Sequence, residues 1–171
     1  MTTPLGEIVI AVDVHRAPAS AGNFLEYVDR RLFNDAQFYR SVHAENDANP
    51  VKICVVQGGI IDSAKGLAPI PHESTRQTGL LHVDGTISIA RAEPGTGSAG
   101  SFFLCIGDQP QLDFGGRRNP DGQGFAAFGR VQKGMDVVRA IWLQPTVGMD
   151  GTIAAQMIAS PIRTETVRRE G

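Results

Sequence analysis

The 171-residue chain is poor in cysteine, in long apolar runs and in uncompensated charge. Its two cysteines, Cys54 and Cys105, are too few for a disulfide framework. Both lie in apolar, strand-like runs and read as buried free thiols. With the scattered His15, His43, His72 and His82 they form no zinc-ligand spacing, so no metal is expected. Sixteen basic residues against 18 acidic ones leave a net charge of −2, and basic residues cluster no further than Arg30-Arg31, Arg117-Arg118 or Arg168-Arg169. That excludes a phosphate-tracking surface, and with it nucleic-acid binding. No run of about 18 apolar residues is present, so no transmembrane helix is expected. The start, "MTTPLGEIVIAV", lacks the basic and apolar segments of a secretory signal. As it stands the chain is expected in the cytoplasm, or in the periplasm if a leader has been removed.

What is present is turn chemistry. Twenty glycines and ten prolines spread along the chain favour many short strands. "EIVIAVDV" (7–14) alternates at period two through Ile8, Ile10 and Val12, the pattern of a half-buried strand. From Ala17 to Phe33 the period changes: Ala17, Ala21, Phe24, Leu25, Val28 and Leu32 form one helical stripe, with Pro18 near its start. Strands are expected at 37–42, 51–60, 85–91, 101–107, 124–131 and 160–169, and a second helix at 132–142. The polar stretch "HAENDANP" (43–50) reads as a loop, and 62–84 as a long irregular connection. The pattern is that of one mainly β domain over 1–171, a barrel or sandwich with helices covering open ends. No interface stripe stands out, so a monomer is expected.

Two residues do not fit plain strands. Arg40, in "FYRSV", and Gln57, in "VVQGGI", sit in apolar surroundings where each needs a partner. They belong either to a buried polar network or to the working surface of a site. Taken alone, Arg40 is better explained by pairing with a carboxylate.

The order of short motifs narrows the choice. "APASAGNF", "FYR", "VVQGG", "GTISIAR", "SFFLCIG", "LDFGG", "FAAFGRV" and "KGMDVVRAI" follow one another as in the cyclophilins, which are peptidyl-prolyl cis-trans isomerases. The chain resembles that family, in its bacterial branch, from about residue 6 to about residue 167. The resemblance implies a closed, eight-stranded antiparallel barrel capped by two α-helices, with a substrate groove on the outer wall. It also implies a cofactor-free enzyme that turns X–Pro bonds in peptides and folding proteins. Arg40 matches the family's catalytic arginine, and Gln57 the glutamine that orients it and binds substrate backbone. Phe103, Leu112, Phe38, Val55 and Phe125 match the apolar proline pocket. Ala90, Arg91 and Ala92 match the segment that holds the residues before proline.

The chain departs from the family pattern at several of these positions. Cys54-Val55 stands where the family has a bulky pair, implying a wider or shallower wall. Ser101 replaces a glutamine. Gln111 replaces the tryptophan of some members that contacts cyclosporin, so weak cyclosporin sensitivity is expected. The 43–50 stretch resembles an insertion at the groove's edge, which either changes the substrate footprint or decorates the surface. The alternative to an isomerase is therefore a catalytically weak, peptide-binding or chaperone-like domain. A barrel holding a ligand inside is disfavoured, because bulky residues fill small barrels.

Overall fold

A computed structural model gives the structure of the protein and describes residues 1–149 and 153–170. A short hairpin, β1 (Thr2–Thr3) and β2 (Gly6–Glu7), precedes β3 (Val9–Val12) and helix α1 (Pro18–Asp29). Then come β4 (Gln37–Val42), β5 (Val55–Gly59), the single-turn helix α2 (Thr75–Thr78), β6 (Thr86–Ile89) and β7 (Ser101–Cys105). β8 (Ala126–Lys133), α3 (Met135–Trp142), β9 (Thr146–Met149) and β10 (Ile153–Arg163) complete the chain. Eight strands form one antiparallel sheet in the order β3-β8-β6-β7-β5-β4-β10-β9. Among the described residues no ladder joins β3 to β9.

Several expected boundaries move, each for a local reason. α1 ends at Asp29, four residues before Phe33, because the chain turns out of the helix at Arg31, whose φ is 56°. Its N-terminus is capped from far along the chain: both Glu73 carboxylate oxygens accept backbone N–H bonds, from Ala19 at 3.0 Å and Ser20 at 2.7 Å. β5 begins at Val55 rather than residue 51, since the preceding backbone is engaged by Asp47, which accepts from Asn49 N and Ile53 N. β8 runs on to Lys133, and α3 starts only after Gly134. Gly134 has φ +87°, and a Cβ there would lie 2.2 Å from the Glu7 carbonyl oxygen, so only glycine fits. The last strand is 153–163, not 160–169, and β9 was not foreseen.

The sheet has two occupied faces. On one, Val56, Ile87, Ile89, Phe102, Leu104, Ala126 and Phe128 join the apolar stripes of α1 (Ala21, Phe24, Val28) and α3 (Val137, Val138, Ile141). Phe102 is the hub, meeting Phe24, Phe33 and Phe38 edge-on at centroid distances of 6.0, 5.7 and 5.8 Å. On the other face Val42, Ile53, Val55, Phe103, Cys105 and Leu112 form a second, smaller cluster. Adjacent residues Phe102 and Phe103 thus serve opposite faces, as strand alternation requires.

Phe38 corrects the expectation that it belongs to the pocket. It is fully buried in the main core. Period two would put Phe38 and Arg40 on one face, but the β4–β5 register shifts between them: Phe38 pairs with Gly58 and Arg40 with Gln57. Tyr39 is therefore an extra residue, a β-bulge, and it sends Phe38 inward and Arg40 outward. Gly58 makes room, since a Cβ there would meet the Phe38 ring at 2.8 Å. Phe38→Ala is expected to destabilise the fold by about 3–5 kcal/mol in urea unfolding, as large-to-small core changes do.

Candidate active site

Arg40, Gln57 and Phe103 lie side by side in one row across three adjacent strands: Arg40 pairs with Gln57, and Gln57 with Phe103. Neighbouring strands are about 4.8 Å apart, so the row places a guanidinium and an aromatic ring within roughly 10 Å of backbone.

Arg40 is held by amides. Its NH1 donates to Gln57 Oε1 at 2.9 Å, and its Nε and NH2 both donate to Gln156 Oε1, at 3.0 and 2.7 Å. No carboxylate forms an ion pair with Arg40 among the described residues. The reading of Arg40 as a carboxylate partner therefore fails. Burial pulls its pKa below the ordinary arginine value, the Arg118 charge adding to this, while Tyr39 and Asp47 act in the opposite sense.

Gln57 has its whole side chain engaged. Besides accepting from Arg40, its Nε2 donates to Tyr39 Oη at 3.0 Å and to Ser101 Oγ at 3.1 Å. A further bond of 3.1 Å joins those two hydroxyls. This triangle fixes the amide so that its oxygen faces Arg40. Both of its N–H donors are already committed, so a substrate backbone reaches them only by displacing Tyr39 or Ser101.

The apolar side of the row is built around Phe103. Phe125 meets it edge-on at 5.3 Å, and His82 stacks on it at 5.9 Å with the rings 17° from parallel. His82 is almost fully buried, its Nδ1 bonded to Asp113 Oδ1 at 2.7 Å and its Nε2 to Ser88 Oγ at 2.9 Å. Phe125 N–H donates to the Leu112 carbonyl at 2.9 Å, which ties these two residues together. Leu112 has no exposed surface, and Phe103 and Val55 are only 5% and 4% exposed. The accessible part of this patch is half-buried Ala90 and Phe125. Leu112 and Val55 back it from behind. Ile53 and Val42 belong to the same buried cluster as Val55.

Ala90, Arg91 and Ala92 line, with Gln57 and Ser101, an adjoining cavity of about 570 Å³. The Arg91 side chain is neither solvated nor free for substrate: it is 2% exposed. It donates to Gly124 O and to both oxygens of Asp121, and its guanidinium lies 5.3 Å from the Phe125 ring centroid. Arg91 is a strut that holds the 121–125 loop on the pocket. Its hydrogen bond is the main cause that lowers the Asp121 pKa.

The 43–50 stretch is not surface decoration. Asp47 is buried and pairs with Arg118 at 2.6 Å, joining this loop to the 113–124 loop. Asn46 ties it to β4 and β10 through Ser41 O and Ala155 O. Three contributors, Gln156, His82 and Asp47, escaped sequence reasoning. Only His82 left a signal, standing three residues before the "GTISIAR" motif.

The fold is that of a known enzyme class. The family described as cyclophilin-type peptidyl-prolyl cis-trans isomerase matches residues 1–161. Peptidyl-prolyl cis-trans isomerase A of Dickeya dadantii is 34% identical over 144 residues, covering 82% of this chain and 68% of that protein. Peptidyl-prolyl cis-trans isomerase B of Escherichia coli is 30% identical over 139 residues, covering 80% of this chain and 78% of that protein. A crystal structure of a Cryptosporidium parvum cyclophilin-type isomerase covers the whole chain with TM-score 0.74 at 17% identity, and 96% of that chain is covered. A second structure of that isomerase, determined in the presence of the dipeptide Ala-Pro, superposes with TM-score 0.73 at 18% identity and covers 100% of this chain and 98% of that chain. The chain belongs to the cyclophilin-type peptidyl-prolyl cis-trans isomerase family.

Both cysteines are free thiols, but only Cys105 is buried as expected: Cys54, just ahead of β5, is half-buried. Burial raises the pKa of Cys54, and raises that of fully buried Cys105 well above the ordinary thiol value, with nearby Asp113 adding to it. A raised pKa leaves less thiolate at neutral pH. Titration of the native protein with a thiol-disulfide reagent is expected to modify Cys54 slowly and Cys105 only after denaturant is added.

Proposed function

We propose that this cyclophilin-type isomerase turns X–Pro bonds of peptides and folding proteins by a hydrogen bond from Arg40 to the prolyl nitrogen. The barrier to rotation is roughly 18–20 kcal/mol, because the amide C–N bond has partial double-bond character. In the twisted amide that conjugation is lost and nitrogen regains a lone pair. A donor aimed at it stabilises the twisted state more than either planar one, which is what accelerates a reaction. The guanidinium keeps its proton across the physiological range and needs no proton transfer. No cofactor enters this chemistry.

The observation that carries the proposal is the row Arg40–Gln57–Phe103 on the outer face. A prolyl residue lying over β5 would have its nitrogen toward Arg40 and its ring against Phe103, Phe125 and Ala90. Ala90, Arg91 and Ala92 border the adjoining cavity, the route for residues that precede proline. Tyr39 and Ser101 supply hydroxyls at the junction, in a place where the family more often has a glutamine. Gln111, whose Oε1 accepts from Arg117 N, offers no indole to cyclosporin, and weak inhibition follows. We also infer that the sheet closes on itself as a barrel with α1 and α3 over its ends, since both helices contribute to one core.

The isomerase reading is favoured over a catalytically idle peptide binder because Arg40 is clamped without being neutralised. Cis-to-trans exchange of a short Ala-Pro-Phe chromogenic peptide tests it. Wild type is expected to accelerate the exchange, and folded Arg40→Ala to lose roughly 100- to 1,000-fold, the usual cost of removing one such donor. A fully active Arg40→Ala would refute the role given to Arg40.

A further inference from the structure

We propose that Gln156, on β10, is a positioning residue for Arg40, and that its being an amide rather than a carboxylate is what keeps the guanidinium fixed without an opposing charge against it. The inference rests on the catalytic reading of Arg40 given above.

Gln156 is 4% exposed, so its polar atoms need partners within the protein. Its Oε1 receives two of the three hydrogen bonds that Arg40 makes to side chains, from Nε at 3.0 Å and NH2 at 2.7 Å. Its Nε2 donates to the Asn46 backbone carbonyl at 2.9 Å. That last bond fixes which end of the amide is oxygen: rotated by 180°, the group would turn N–H donors toward Arg40 and an oxygen toward a carbonyl. Asn46 is itself immobilised, its Oδ1 accepting from His43 N at 2.7 Å and its Nδ2 donating to Ser41 O and Ala155 O. The 43–50 loop therefore acts on the site from behind, by setting the orientation of Gln156.

The donor inventory explains why two amides suffice. A guanidinium has five N–H groups. Gln156 takes Nε and one hydrogen of NH2, and Gln57 takes one hydrogen of NH1. That leaves one N–H on NH1 and one on NH2 without a partner among the described residues. A carboxylate at 156 would hold the same Nε–NH2 edge but place a full negative charge against it. In a half-buried site that charge offsets the field a prolyl nitrogen should feel. It would also set a negative oxygen against the Asn46 carbonyl.

Gln156→Met removes the acceptor at similar volume, and Gln156→Glu keeps an acceptor while adding charge. Both are compared with wild type and Arg40→Ala, with folding checked by circular dichroism and thermal unfolding. Exchange NMR on an Ala-Pro-Phe peptide gives kcat, titration with the same peptide gives Kd, and the Arg40 Nε–H resonance reports the clamp. We expect kcat to fall roughly 10- to 100-fold in both variants, the scale of a misplaced or weakened catalytic group, while Kd changes far less. The Nε–H resonance should exchange away in Gln156→Met and persist in Gln156→Glu. A purely structural Gln156 would alter thermal stability and leave kcat and the resonance alone. Wild-type kcat in both folded variants, beside an inactive Arg40→Ala, would overturn the role of Gln156 and leave that of Arg40 standing. An active Arg40→Ala would instead overturn the catalytic reading on which both depend.

Discussion

A cation that works on a neutral substrate atom has to be held still without being cancelled. Arg40 meets that requirement with three hydrogen bonds to two uncharged amides. Hydrogen bonds from a charged donor contribute about 1.5–3 kcal/mol each, enough to fix one rotamer of a long side chain against its lost freedom. A carboxylate would hold it more strongly and neutralise it. Acids do stand nearby, but each is engaged elsewhere: Asp47 by Arg118, Asp113 by His82 and Asp121 by Arg91. Each of these carboxylates thus has a partner of its own, and none pairs with Arg40 among the described residues.

The rest of the architecture serves that placement. One extra residue in β4, Tyr39, turns Phe38 into the core and Arg40 out of it. Core and site are then built on the two faces of the same strands: Phe102 anchors one, and Phe103 the other. Because the outer cluster shares its backbone with the main core, a substitution in one reaches the other through strand position. Beneath Phe103, the His82–Asp113–Ser88 network satisfies every polar atom of a buried imidazole. It thereby fixes the imidazole on which the Phe103 ring stacks.

Much of this was legible in the order of motifs. Arg40, Gln57, Phe103 and Phe125 could be named from motifs that glycine turns and aromatic pairs mark, and the structure brings them together on one face. The resemblance also offered Phe38 and Leu112 as pocket residues, but burial assigns Phe38 to the core and Leu112 to the backing of the pocket. A bulge leaves no mark in hydrophobic periodicity, so Phe38 and Arg40 could not be separated by counting. The resemblance offered Arg91 as part of the segment that holds the residues before proline, and only three-dimensional contact with Asp121 and Gly124 makes its side chain a strut. Gln156 was invisible for a different reason. It lies 116 residues from its partner, in a strand foreseen some seven residues too late. A polar residue there carries no local signal of whom it faces.

The central claim is that the row on the outer face receives proline with its nitrogen toward Arg40. Intermolecular NOEs between this protein and a bound Ala-Pro peptide test it most directly. The account requires contacts from the proline ring to Phe103 and Phe125, with the Arg40 guanidinium protons close to the prolyl nitrogen side of the ring. Proline-ring contacts confined to the cavity beside Tyr27 and Leu67, with none to Phe103, would contradict it.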